Sequence, residues 1–146
     1  MPWHPLILWA GETQMDNKQD LQELAVRRDA LGKYLGITLV EARPGYAVTT
    51  MTVKPELLNG VGITHGGTLF TLADIAMAAA SNSHGPMAVA LDVHISFLKA
   101  TREGEFLTAT AREENLTGRT GLYRVEVRDR QDELVATVTG RVSRKK

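Results

Sequence analysis

Leu21, Leu24, Ala25, Leu31 and Leu35 recur with helical spacing, Asp16 or Asn17 can cap the start, and Gly36 supplies a stop, so the pattern predicts an N-terminal helix. The period then changes. Ile37 to Ala42 reads as a short strand and Arg43-Pro44-Gly45 as a turn. Tyr46 to Val53 alternates, with Thr49, Thr50 and Thr52 favouring extended chain. Pro55 to Thr64 is rich in Asn and Gly and reads as loop. The segment Thr68 to Ser83, TLFTLADIAMAAASNS, is dominated by the best helix former and is closed by Gly85-Pro86. Its small residues lie on nearly every side, which predicts a buried helix. Strand chemistry returns over Met87 to Leu98, where Val93, Ile95 and Phe97 alternate with His94 and Ser96. Three further strands are expected, at Glu105–Arg112, Arg119–Arg128 and Leu134–Ser143. The links at Arg102-Glu103-Gly104, Asn115 to Gly118 and Asp129 to Asp132 are too short for crossovers and suit antiparallel hairpins. The sum is an α+β arrangement: a helix, two strands, one long central helix, then four strands. One helix cannot cover both faces of a wide sheet, so an oligomer is expected.

Composition narrows the class. A chain of 146 residues is one ordinary domain, with residues 1–16 expected as a tail and 17–146 as a single domain. Lys plus Arg is 17 and Asp plus Glu is 17, a balance that argues against a nucleic-acid binder. With no cysteine, disulfides, thiolate catalysis and Cys-based zinc sites are excluded. The four His residues lack metal-ligand spacing, so no metal site is expected. No apolar run reaches the roughly 18 residues that span a bilayer. The opening MPWHPLILWAGETQ has no basic lead and no small-residue cleavage site, so a secretory signal is not expected and a cytoplasmic location is; Met15 is an alternative start.

Chemistry concentrates in Asn59 to Asp74, NGVGITHGGTLFTLAD. His65, Gly66 and Gly67 stand where the central helix begins. Helix N-termini carry unpaired N–H groups and partial positive charge, and glycine lets a ligand approach the backbone. Such a place can stabilise an oxyanion developing on a carbonyl, or it can simply make a tight turn into the helix. Asp74 lies between Ala73 and Ile75 in an otherwise apolar helix. A carboxylate there is costly unless paired, bonded or protonated, which makes it either a structural Asp or a general base or nucleophile with a tunable pKa. Gly66 and Asp74 are separated by about 12 Å at the α-helical rise. Both cannot act on one carbonyl carbon within one chain. If both act, Asp74 must come from a second copy, and a two-fold dimer with antiparallel helices would build two shared sites.

The pattern N-G-x-x-x-x-H-G-G-x-x-F-T-L-A-D-x-A followed by A-S-N-S resembles the hotdog-fold acyl-CoA thioesterases, most nearly the PaaI-like phenylacetyl-CoA thioesterase branch. The similarity runs through VALDVHISFLKAT, GEFLTATA, GRTGLYRVEVRD and ELVATVTGRVSR, roughly residues 35 to 144. The resemblance implies a hotdog fold, a long central helix wrapped by a curved antiparallel sheet, assembled as homodimers that pair into a homotetramer. It implies hydrolysis of an acyl-CoA to free acid and CoA, with no metal or redox cofactor. Asp74 matches the family carboxylate that attacks the thioester or activates water, and Gly66 the residue whose N–H polarises the carbonyl. His65 and Asn59 match residues of the same pocket. Gly67, Phe70, Met77, Ala90 and Arg119 are expected to bind substrate, Arg119 because the GRTG turn falls near the nucleotide. Lys99, Arg102 and Arg144 are weaker candidates for the CoA phosphates.

The chain departs from the family in places. Met77 stands where Phe is frequent. Ala78 and Ala90 occupy positions where a Ser or Thr would hold the water, with Ser81 and Ser83 nearby. Lys99-Ala100-Thr101 replaces Arg-Pro-Ala. The alternatives to a thioesterase are a non-catalytic acyl-CoA binding module and another hotdog enzyme such as a hydratase or dehydratase. The latter needs acid–base groups flanking a β-carbon, which the HGG…D layout fits less well.

Overall fold

A computed structural model describes residues 28–145. The expected tail, the boundary at residue 16 and the cap at Asp16 or Asn17 lie outside the described residues. Helix α1 (Ala30–Leu35) corrects the N-terminal reading. Asp29 has an extended backbone and its carboxylate accepts the Gly32 N–H at 2.7 Å. It is therefore an N-cap, and the helix that holds Leu31 and Leu35 begins after it; Leu21, Leu24 and Ala25 lie outside the described residues. A short acidic side chain competes for backbone N–H groups, and here it overrides the apolar period. Leu35 is buried, whereas Leu31 is exposed. Gly36 ends α1 as expected, in the left-handed conformation with φ 77°.

Among the described residues six strands follow, all antiparallel: β1 (Thr38–Arg43), β2 (Tyr46–Thr52), β3 (Ala88–Phe97), β4 (Phe106–Leu116), β5 (Thr120–Arg128) and β6 (Leu134–Arg144). They form one sheet in the order β1-β2-β4-β5-β6-β3, which leaves β1 and β3 as its edges. Side-chain oxygens shape two of the three hairpins. The Thr117 hydroxyl accepts the N–H groups of Arg119 and Thr120, and Asp129 accepts those of Gln131 and Glu133. The other Asp129 oxygen takes Lys99 at 2.5 Å, tying the end of β3 to the β5–β6 turn. β3 carries a bulge at Leu91, between the pairs Ala90–Val142 and Asp92–Arg141.

The central helix α2 (Gly66–Asn82) lies mainly across β2 and β4. It meets rows of small or branched side chains: Ala47, Thr49 and Met51 on β2, Leu107, Ala109 and Ala111 on β4. Thr49 is fully buried and donates its hydroxyl to the Leu72 carbonyl, 3.0 Å away. Farther across, Met77 lies against Gly140, where an added Cβ would stand 2.5 Å from the Met77 sulfur. Burying Leu69, Leu72 and Ile75 contributes about 2 kcal/mol each. Contrary to the burial that its composition predicts, the helix is not sealed all round. Gly67, Thr71, Asp74 and Ala78 keep partial exposure and recur at helical spacing, so they form one open stripe on the side away from the sheet.

Candidate active site

Two strand-like bonds lead the chain into α2. The His65 N–H donates to the Leu57 carbonyl, and the Thr64 N–H donates to the Thr101 carbonyl. The Thr64 and Thr101 hydroxyls, both buried, bond to each other at 2.7 Å. The helix therefore begins at a fixed point, two residues earlier than its composition suggested, with His65 as N-cap. His65 Nδ1 accepts the Gly67 N–H at 2.8 Å, which places the proton of the neutral ring on Nε2. The His65 carbonyl takes the N–H groups of Thr68 and Leu69. Among the described residues, no acceptor takes the N–H of Gly66.

Gly66 lies at a cavity of about 450 Å³ that Leu69, Asn59, Ile63, Phe97 and Leu98 also line. Asn59 Oδ1 accepts the N–H groups of Val61 and Ile63, so it folds the loop and leaves its amide NH₂ as a donor beside the cavity. Phe97 ends β3, as the alternation predicts, but does not share the burial of its neighbours. Val93 and Ile95 pack toward the core, but Phe97, of the same parity, is 55% exposed and lies over Gly66. A Cβ on Gly66 would stand 2.9 Å from the ring, so any other residue there has to displace Phe97. Phe97 and Leu98 were not singled out in the sequence. The signal available was two large apolar residues in a row at the end of an alternating strand.

The other expected site residues lie elsewhere in the chain. Asp74 is two turns along α2, on the open stripe, with Phe70 a turn before it. Burial raises the Asp74 carboxyl above the usual carboxylate range, and the negative charge of Asp29 raises it further. Met77 is core, packed on Gly140 and outside the cavity lining. Ala90 is exposed on β3. Arg119 is exposed in the β4–β5 turn, where its carbonyl accepts the Arg144 N–H. Arg144 pairs with Ala88, so Ala90 and Arg119 stand near the start of β3 and Gly66 near its end. That is on the order of 20 Å apart at the rise of a strand. Of the weaker cations, Lys99 is held by Asp129 and Glu133, and Arg144 donates to the Thr117 carbonyl; Arg102 is exposed. Ser81 and Ser83 donate to backbone carbonyls of α2.

The raised Asp74 pKa has a consequence for stability. Below the ordinary carboxylate range the group is protonated in both states and carries no penalty. As pH rises from that range through the raised value of the folded protein, folded protein must give up a proton it holds more tightly than unfolded chain, and stability falls. Asp74→Asn removes the charge at nearly constant shape. It should melt higher than the parent at pH 7, with the difference fading at about pH 4 and below. Parallel thermal melts at the two pH values measure this, and equal midpoints at pH 7 would contradict it.

Residues 61–136 match the model of the thioesterase superfamily. The chain belongs to that superfamily, has its hotdog fold, and is a thioester hydrolase. It is 44% identical over 116 residues to the acyl-coenzyme A thioesterase PaaI of Escherichia coli, covering 80% of this chain and 83% of that protein. The structure of the E. coli PaaI protein, from the phenylacetic acid degradation operon, superposes with a TM-score of 0.84 at 41% identity, over 88% of this chain and 94% of the other. A Streptococcus mutans protein, smu.793, solved bound to acetyl CoA, matches at 29% identity with a TM-score of 0.72, over 75% and 88% of the two chains.

Proposed function

We propose that this protein hydrolyses acyl-CoA thioesters in a site shared between two copies of the chain. The observation that carries the reading is the free Gly66 N–H, at the positive end of a 17-residue helix and at the mouth of a largely apolar cavity. A thioester oxygen bound there gains negative charge in the transition state and is stabilised by that N–H. Asp74 of the partner subunit either attacks the carbonyl carbon or takes a proton from the water that does. The C–S bond breaks, CoA leaves as thiolate, and one water is consumed for each acid released. Asn59 supplies a donor beside the carbonyl, and His65 fixes the first helical turn.

The sharing is supported by what one chain keeps apart. Asp74 is about 12 Å from Gly66 along α2. Ala90 and Arg119 are near the far end of β3. β3 is an edge strand with exposed Leu91, Phe97 and Leu98 nearby, which suits pairing with a second β3. Antiparallel pairing about a two-fold axis lays the Ala90 end of one strand beside the Phe97 end of the other. The same operation carries Asp74 of the partner subunit, on its open helical stripe, toward Gly66, so one symmetry element reunites all the separated residues. Two such dimers then pair as the homotetramer that the resemblance implies. The acyl group is aryl on the same ground: phenylacetyl or a hydroxylated derivative.

A thiol-release screen over short, medium, long and aromatic CoA esters tests this. Turnover is expected with kcat/KM highest for the aromatic esters. Saturable binding of every ester without thiol release would defeat the proposal and leave a binding module.

A further inference from the structure

Phe97 is the one aromatic side chain among the described residues that line the cavity at Gly66. The other large apolar residues of the wall, Ile63, Leu69 and Leu98, are aliphatic. The wall offers no free charge among the described residues. Lys99 has its amine tied to Asp129 and Glu133, and the Thr64 and Thr101 hydroxyls satisfy each other. The outer edge of the Phe97 ring bears on Gly66 itself: a Cβ there would stand 2.9 Å from Cζ and 3.3 Å from Cε1.

The backbone that carries the ring is held on both sides. Phe97 pairs with Ala136 on β6, and the N–H groups of Leu98 and Lys99 both donate to the Val135 carbonyl. The Thr101 carbonyl then takes the N–H of Thr64, two residues before Gly66. Strand parity puts Phe97 with Val93 and Ile95 on the helix side of the sheet, yet about half of it is open. Resting on the carbonyl site given to Gly66 above, we propose that Phe97 selects the acyl group: a flat, uncharged acyl chain lies against the open part of its ring. Because the ring edge touches Gly66, a planar group one or two bonds from the bound carbonyl comes against it. Aromatic pairs gain from offset-stacked or edge-to-face contact beyond the area they bury, which a straight chain does not. That gain corresponds to about three- to tenfold in affinity.

Phe97→Leu keeps bulk and apolarity and removes the ring; Phe97→Met fills the same space with a flexible chain. In the full-length protein, kcat/KM is measured for phenylacetyl-CoA and for octanoyl-CoA, which has the same number of acyl carbons. The aryl-to-alkyl ratio should fall by about three- to tenfold in both variants, with octanoyl-CoA turned over near the parental rate. Melting temperature and sedimentation should stay parental. Titration calorimetry with the free acids, phenylacetate and octanoate, reads the same preference without turnover. An unmoved ester ratio overturns the proposal. So do equal losses for both esters, which would make Phe97 a packing or subunit contact only. If the parent hydrolyses neither ester, the acids decide: a fallen ratio of affinities upholds Phe97 as the acyl contact and defeats hydrolysis alone, and an unmoved one defeats both.

Discussion

Asp74→Ala folds, assembles and binds acyl-CoA, and loses thioester hydrolysis by about 10²-fold or more. The side chain is on the open stripe of α2 and makes no hydrogen bond that holds the sheet, so the loss should appear in kcat with little change in KM. Alanine is also a better helix former than aspartate and removes a buried charge, so the variant should be at least as stable as the parent. Thiol release at saturating ester, read beside a melting curve, checks both halves. Near-parental kcat in the alanine variant would remove the carboxylate from the mechanism. Asparagine is the less clean choice for this measurement, because an amide can still orient water.

A second experiment gives an equally large effect and tests who supplies what. Gly66→Pro deletes the N–H assigned to the carbonyl. The backbone is ready for it: Gly66 is the first residue of α2, where proline is favoured, and His65 before it is extended at φ −61° and ψ 138°. The Cβ of the added ring meets Phe97, which is half exposed. Losing one such donor should lower kcat by about 10²-fold or more. Subunits carrying Gly66→Pro and subunits carrying Asp74→Ala are then unfolded together and refolded as mixed dimers. Each mixed dimer holds one site with both defects and one with neither, so random pairing should restore about a quarter of parental activity. A site contained in one chain would restore nothing, and that result would overturn the shared arrangement.

The sheet was legible because its signals are local. Period-two patterning placed all six strands within a few residues, and the alanine-rich run marked α2, but the link at Arg102-Glu103-Gly104 is not the expected hairpin: β3 and β4 are separated in the sheet by β5 and β6. The misreadings arose where a side chain answered to something outside that period. Phe97 keeps strand parity yet covers a glycine. Leu31 keeps helical spacing yet is exposed, in a helix of six residues that Asp29 caps. Asp74 stood out as a lone acid among apolar neighbours. Asp29 did not, since an acid in a charged run, RRDALGK, looks like solvated surface until its carboxylate is seen to cap α1. Gly66, His65 and Asn59 announced themselves by glycine and turn chemistry. Ala90 and Arg119 came through family resemblance alone, because no local rule connects a strand and a distant turn to a helix start.

The contact between Gly140 and Met77 reaches beyond this one protein. The sheet gives up a side chain at 140 so that a long, flexible one can lie across it from the helix. The two positions are coupled: a side chain gained at 140 obliges Met77 to swing aside or to shorten, and a shortened 77 invites 140 to grow. Among descendants of a common ancestor the two sites should therefore mutate as a linked pair, and their joint substitutions would trace how the gap between this helix and β6 has been re-dimensioned.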